Sequence, residues 1–288
     1  MKKVGVLGAG AMGSRIAQNL LKAGYPVIVY NRTADKVQSL VNQGAIYAAT
    51  PREATEQVDI VMSMMSDDDV SRQVWLDPAT GALQGLRKDT IALESSTLTV
   101  EWTKTLATAI ERQGTDFLDV PIVGSRPQAE ARKLIYLAGG KAEVLANIQP
   151  VLRSAGAVIV HHIGSVGQGM AMKLAVNALF GIQVAALAEL IGMLDKQGIV
   201  PEKAMDCLGE LPVTSLAAKG AGSLMVANYH APMFPINLIE KDFRYVVQTA
   251  QAINAAIPAS TSIHPIYQDA IAQGYGDQNI TGIVQLFI

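Results

Sequence analysis

Short apolar runs alternate with longer helical stretches through the first half of the chain, and then the alternation stops. Lys3 to Leu7, Val27 to Tyr30, Asp59 to Met64, Thr90 to Glu94, Asp116 to Val120 and Leu134 to Ala138 are brief and rich in branched residues, so each predicts a strand. Strands separated by helical segments predict a parallel sheet covered by helices. The last β signal is Val158-Ile159-Val160; from Gly169 onward the pattern is helical, interrupted at Gly198-Ile199-Val200-Pro201, Leu211-Pro212 and Ile257-Pro258. The predicted architecture is therefore α/β, with a doubly wound parallel sheet over residues 1–164 and an all-α domain over residues 165–288. A long interdomain helix, residues 168–197, joins the two.

Two apolar stretches need a second reading. Met1-Lys2-Lys3 followed by Val4-Gly5-Val6-Leu7 imitates the start of a signal peptide, but Gly8 and Gly10 break the run at once. Leu174 to Leu194 is long enough to cross a bilayer, yet it carries Asn177, Gln183 and Glu189, which are costly in hydrocarbon and predict a buried helix between domains. Composition agrees with a large folded core: half of the 288 residues are hydrophobic and only 17% are charged. A formal net charge of -2 gives no electrostatic reason to bind nucleic acid or an anionic membrane. The single cysteine, Cys207, cannot form an intramolecular disulfide, and no Cys/His cluster has zinc spacing, which predicts a cytoplasmic protein without a metal centre.

The first strand runs directly into Gly8-Ala9-Gly10-Ala11-Met12-Gly13 and then into the helical run from Ser14 to Leu21. In this strand-turn-helix context the glycines have separate tasks. Gly8 permits the tight turn, Gly10 lets a pyrophosphate approach the backbone, and Gly13 allows close helix packing. The helix start adds N–H groups and a positive dipole end for phosphates. At the end of the second strand, Tyr30-Asn31-Arg32-Thr33 lacks the carboxylate that would hold a ribose 2′-hydroxyl, while the Arg32 guanidinium can pair with a 2′-phosphate. NADP(H) is therefore expected over NAD(H).

The stretch from Gly167 to Asn177 opens the long helix. Lys173 and Asn177 are one turn apart on one face, inside an otherwise apolar run where unpartnered polar groups are expensive. A polar patch facing a cleft explains them. If a hydride adds to a carbonyl carbon, the oxygen needs a proton, and a partly desolvated ammonium such as Lys173 is a suitable donor, with Asn177 holding the oxygen or orienting the lysine. Other signals carry less. His161-His162 are read as strand-end neighbours on opposite faces, Gly139-Gly140-Lys141 as a turn without the rest of a phosphate loop, and Asp67-Asp68-Asp69 as a helix cap.

Taken in order, Gly8 to Gly13, Asn31-Arg32-Thr33, Glu94-Ser95-Ser96-Thr97, Asp119 to Ser125, Gly167 to Asn177 and Lys241-Asp242 resemble the β-hydroxyacid dehydrogenases over the whole chain. Through Gly124-Ser125-Arg126-Pro127-Gln128-Ala129-Glu130 the resemblance runs most to the glyoxylate/succinic semialdehyde reductases. It implies a Rossmann domain and a helical domain with the active cleft between them, in a homodimer or homotetramer. It also implies that Lys173 is the catalytic proton donor and that Ser96, Asn177 and the backbone at Gly124 and Ser125 face the substrate. Cofactor contacts would come from Gly8, Gly10, Ala11, Met12, Gly13, Asn31, Arg32, Thr33, Met64, Met65, Ser66, Thr97 and Lys241. Two positions depart from the pattern: Val123 stands where the family has a serine, and Arg132 where it has a glycine.

The expected activity is NADPH-dependent reduction of a small aldehyde or 2-keto acid, of the succinic semialdehyde or glyoxylate class, to the hydroxy acid. The alternatives are a 3-hydroxyisobutyrate or tartronate semialdehyde type of dehydrogenase, an imine reductase-like enzyme, and an NADP-binding sensor without turnover. Lys173 argues against the imine reductase, and Lys173 with Asn177 against the sensor.

Overall fold

A computed structural model describes residues 1–288. Its elements in chain order begin with β1 (Val4–Leu7), α1 (Gly13–Lys22), β2 (Val27–Tyr30), α2 (Gln38–Val41), β3 (Ile46–Tyr47), α3 (Pro51–Thr55) and β4 (Ile60–Ser63). Then come α4 (Asp68–Leu76), β5 (Ile91–Glu94), α5 (Val100–Glu111), β6 (Asp116–Asp119), β7 (Ile122–Val123), α6 (Arg126–Glu130), β8 (Leu134–Gly139), α7 (Ala142–Ala155) and β9 (Ala157–Gly164). Five helices follow: α8 (Gln168–Lys196), α9 (Pro201–Glu210), α10 (Leu216–Val226), α11 (Ile236–Ala252) and α12 (Pro258–Ala272). The chain forms two compact units, Met1–Lys173 and Leu174–Ile288, and the division falls inside α8.

In the first unit the sheet order is β3-β2-β1-β4-β5-β6-β8-β7, with β9 paired to β8. From β3 to β6 every neighbouring pair is parallel, which is the doubly wound arrangement expected from the alternating pattern. The far side is mixed, because β8 runs antiparallel to both β6 and β7 and parallel to β9. The central strands are buried on both faces, as helices on each side of a parallel sheet require. Ile16, Ala17 and Leu20 of α1 pack with Val4, Val6 and Val29 on one side, while Trp75, Trp102 and Leu106 fill the other.

Two short strands, β3 and β7, were not legible in the sequence: each has only two residues, below the length at which a period of two can be read. His161 and His162 lie within β9 rather than at its end, opposite Leu137 and Ala138, and the His162 ring meets the Gly140 carbonyl at 2.8 Å.

The second unit is helical apart from a single bridge between Pro235 and Asn279. Its core joins Val184, Ala188 and Ile191 of α8 to Ile239 and Phe243 of α11 and Tyr267 of α12. The Phe243 and Tyr267 rings stack at 5.4 Å, and the Tyr267 hydroxyl donates to the Gly181 carbonyl at 2.8 Å. Helix α8 has the length and apolar character of a membrane span, but half of its most apolar window is buried inside the protein.

Candidate active site

The register of the parallel strands places one residue of each in a row: Tyr30, Leu7, Ser63, Glu94 and Asp119 are successive partners across β2, β1, β4, β5 and β6. All five strands end together at that row. The segments that leave it are Asn31 to Thr33, Gly8 to Gly13, Met64 to Ser66, Ser95 to Thr97 and Val120 to Ser125. Five stretches separated in sequence thus line one edge of the sheet, the carboxyl edge at which open parallel sheets bind ligands.

The glycine loop is fitted for a close approach. Gly8 has φ +88, and a Cβ there or at Gly13 would collide with backbone carbonyls, of Met64 and Gly8 respectively. At Gly10 an added Cβ would meet nothing within 4 Å, so the space over that residue is open for a ligand. Asn31 braces this loop: its side-chain oxygen accepts from the Ala9 N–H at 3.1 Å and its amide donates to the Thr33 carbonyl at 2.9 Å. Arg32 is exposed beside it. These features fit a pyrophosphate on the loop and a charged group on the ribose near Arg32.

The two neighbouring loops are tied together through a buried carboxylate. Glu94 is fully buried and its oxygens meet the Trp75 Nε1–H at 3.0 Å, the Ser96 N–H at 3.0 Å, the Ser71 hydroxyl at 3.3 Å and the Ser96 hydroxyl in a short bond. Ser96 Oγ in turn accepts from the Met65 N–H at 2.6 Å. A second brace joins the same loops, because Asp68 accepts from the Thr99 N–H at 2.9 Å and from its hydroxyl at 2.6 Å. Burial raises the Glu94 carboxyl above the ordinary range, against the pull of donors from Ser63, Ser96 and Trp75. The Ser96 hydroxyl, expected on the substrate side, is engaged at both ends within the protein.

Asp119 performs a comparable task for α8. Its carboxylate accepts from the Gly167 N–H at 2.8 Å and the Met170 N–H at 2.7 Å, satisfying donors that a helix start leaves without partners. Met170 is also fixed from the other side, since its sulfur accepts from the Leu98 N–H at 3.2 Å. Burial raises the Asp119 carboxyl, while the backbone donors of Gly167, Met170 and Gly169 pull it down. Lys173, buried with 8% exposure, follows one turn after this anchor. The clamp brings the lysine's helix to the same edge as the loops at Ser96 and Val120.

In the second unit, Asn177 is buried and donates from Nδ2 to Asp242 Oδ2 at 2.6 Å. Lys241 pairs with Asp242 Oδ1 at 3.1 Å and lies 4.9 Å from the centre of the Tyr245 ring. Asp242, which the Lys241-Asp242 motif contains without giving it a role, therefore joins Asn177 and Lys241. Neither Glu94 nor Asp119 was predicted as a bracing group either. The available signal was a carboxylate closing an apolar strand, Ile91-Ala92-Leu93-Glu94 and Phe117-Leu118-Asp119, where a buried charge demands partners.

At the loop after β6, Ser125 donates its N–H to the Gln128 side chain at 3.0 Å, and Val123 pairs with Ile135 in the β7–β8 ladder. Arg132 has φ 56, so it holds the left-handed conformation that a glycine takes without strain, and it donates to the Arg153 carbonyl at 3.2 Å.

Residues 3–164 match the model for the NAD binding domain of 6-phosphogluconate dehydrogenase, and residues 167–287 that for the NAD-binding domain of NADP-dependent 3-hydroxyisobutyrate dehydrogenase. The chain belongs to the β-hydroxyacid dehydrogenase family. It is 30% identical to the chloroplastic glyoxylate/succinic semialdehyde reductase 2 of Arabidopsis thaliana, over 98% of this chain and 78% of that protein. It is 32% identical to the uncharacterized oxidoreductase YfjR of Bacillus subtilis, over 98% of this chain and 99% of that one. A solved 3-hydroxyisobutyrate dehydrogenase of Mycobacterium tuberculosis shares the fold, with a TM-score of 0.90 at 24% identity over 99% of both chains. As a member of this family the chain is an oxidoreductase with a nicotinamide dinucleotide cofactor.

Proposed function

We propose that this β-hydroxyacid dehydrogenase is an NADPH-dependent reductase of a small carbonyl acid, such as succinic semialdehyde or glyoxylate, working in the cytoplasm as a homo-oligomer. The observation that carries the reading is the anchoring of Lys173: a buried lysine on a helix whose start is clamped by Asp119 to the edge where the cofactor loops gather. A mobile surface lysine would need no such anchor. The 2′-phosphate preference rests on Arg32, exposed at the end of β2 with no carboxylate in the Asn31-Arg32-Thr33 segment to repel a second negative charge.

Nicotinamide, when bound, supplies the hydride to the carbonyl carbon. The chain's residues handle the rest. Gly10 leaves room for the pyrophosphate, and Met64 to Ser66 and Thr97 border the cofactor from loops braced by Glu94 and Asp68. Lys173 gives one proton to the carbonyl oxygen as negative charge grows there, and is reprotonated from solvent. Asn177, one turn on along the same face, is held by Asp242 so that its amide orientation is fixed. Substrate, NADPH and one proton thus become hydroxy acid and NADP+.

The test is the fall in NADPH and NADH absorbance with succinic semialdehyde, glyoxylate, methylglyoxal and tartronate semialdehyde, for wild type and Lys173→Ala. Turnover that prefers NADPH and drops by about 100-fold or more in the variant is expected, the usual worth of a positioned proton donor. NADPH binding without turnover of any aldehyde would favour a sensor instead.

A further inference from the structure

The loop after β6 carries Val123 where the resemblance places a serine, so that position offers no hydroxyl to an anionic ligand. The Ser125 N–H that could serve instead already donates to Gln128 at 3.0 Å. Among residues 121–126 one side chain carries charge, Arg126. Its surroundings are unusual for an arginine. Nε is buried and has no hydrogen-bond partner. The acidic residue one helical turn further on, Glu130, is the natural partner for Arg126 in α6, but it is bonded to Arg15 at 2.7 Å. A buried guanidinium donor left without an acceptor is costly, and such an orphan in a binding loop indicates a ligand that supplies the acceptor. Guanidinium donors in a planar fork match the two oxygens of a carboxylate.

We propose that Arg126 is the carboxylate receptor of this site, replacing the missing serine, and that it makes the enzyme select aldehydes bearing a remote carboxylate over uncharged ones. The inference rests on the reductase reading above and adds to it the residue that recognises the acid. The loop position supports it: Val120 to Ser125 leave the sheet from Asp119, and the same aspartate holds the first turn of α8, so the loop and the helix of Lys173 start from one residue.

The test compares succinic semialdehyde with butanal, which has the same carbon chain and no carboxylate, using wild type, Arg126→Met and Arg126→Lys. Arg126→Met keeps much of the apolar stem and removes the charge. It is expected to lower kcat/KM for succinic semialdehyde by about 10- to 100-fold, mostly through KM, and to leave butanal within about twofold. Arg126→Lys should fall between, because an ammonium restores charge without the fork. An equal loss on both aldehydes, or no loss on either, overturns the proposal. If wild type reduces neither aldehyde, the reductase reading fails and a binding measurement decides Arg126 separately: succinate added with NADP+ should raise the Tm of wild type and not of Arg126→Met. Equal shifts in the two proteins overturn the assignment.

Discussion

Gly10 and Gly13 lie three residues apart in one loop and answer to different demands. A methyl group on Gly13 would run into the Gly8 carbonyl, whereas one on Gly10 would meet nothing within 4 Å. Gly13→Ala should therefore cost stability, about 1–3 kcal/mol for a forced overlap in packed surroundings. Gly10→Ala should change stability by less than about 1 kcal/mol while weakening NADPH at least about tenfold, because the methyl fills the space over the loop. Denaturant melts and cofactor titration by fluorescence separate the two; a Gly10→Ala protein with unaltered NADPH affinity would remove the pyrophosphate from this loop. The spacing of the glycines was legible in the sequence, and so was the absence of a carboxylate at Asn31-Arg32. The engagement of the Ser96 hydroxyl was not, because its partners, Glu94 and the Met65 N–H, come from two different strand ends. Arg132 shows a related limit. Where a glycine is expected the chain keeps φ 56 with an arginine, and the side chain that incurs this strain also donates to the Arg153 carbonyl.

Strand ends and helix starts are where the elements are joined, and buried carboxylates make the joints. Glu94 links β5 to α4 through Trp75 and Ser71, and through Ser96 to the loop after β4. Because burial raises its carboxyl, the folded chain retains a proton that the unfolded chain releases from about pH 4.3 upward. The stability so gained is complete at lower pH and is lost as pH rises through the folded value. Glu94→Gln removes that dependence. The stability advantage of wild type over the variant should shrink as pH rises from about 4 to 7, measured by urea unfolding across the range. A difference that stays constant with pH would mean that Glu94 is charged in the folded protein throughout. Periodicity revealed the seven longer strands because apolar runs bounded by turns survive without context. It missed β3 and β7, whose two-residue pairings exist only because a neighbouring strand lies alongside.

At the scale of the whole molecule there are three apolar cores, one on each face of the sheet in residues 1–173 and one among the helices of residues 174–288. Within the last, α8 buries Val184, Ala188 and Ile191 but leaves Leu179 60%, Leu190 41% and Met193 51% exposed. Spacings of eleven and three residues put these three on one stripe. An apolar stripe of this kind is expected at contacts between copies of the chain. Leu179→Glu should weaken self-association by at least about tenfold in light scattering with size-exclusion chromatography, since burying one leucine contributes about 1.5–3 kcal/mol. A wild-type protein that is monomeric at high concentration would contradict the stripe as an interface. The sequence by itself determined the class of fold, the glycine loop, the absence of a carboxylate at the end of β2 and the placing of Lys173 and Asn177 on one helix face, because each depends on residues within a few positions of one another. Only the tertiary structure decided that Tyr30, Leu7, Ser63, Glu94 and Asp119 end in one row, that Asp119 holds the helix of Lys173, and that Arg126 has lost its acidic neighbour to Arg15. Those contacts join residues tens of positions apart, and their existence follows from strand order and burial, which local patterning does not encode.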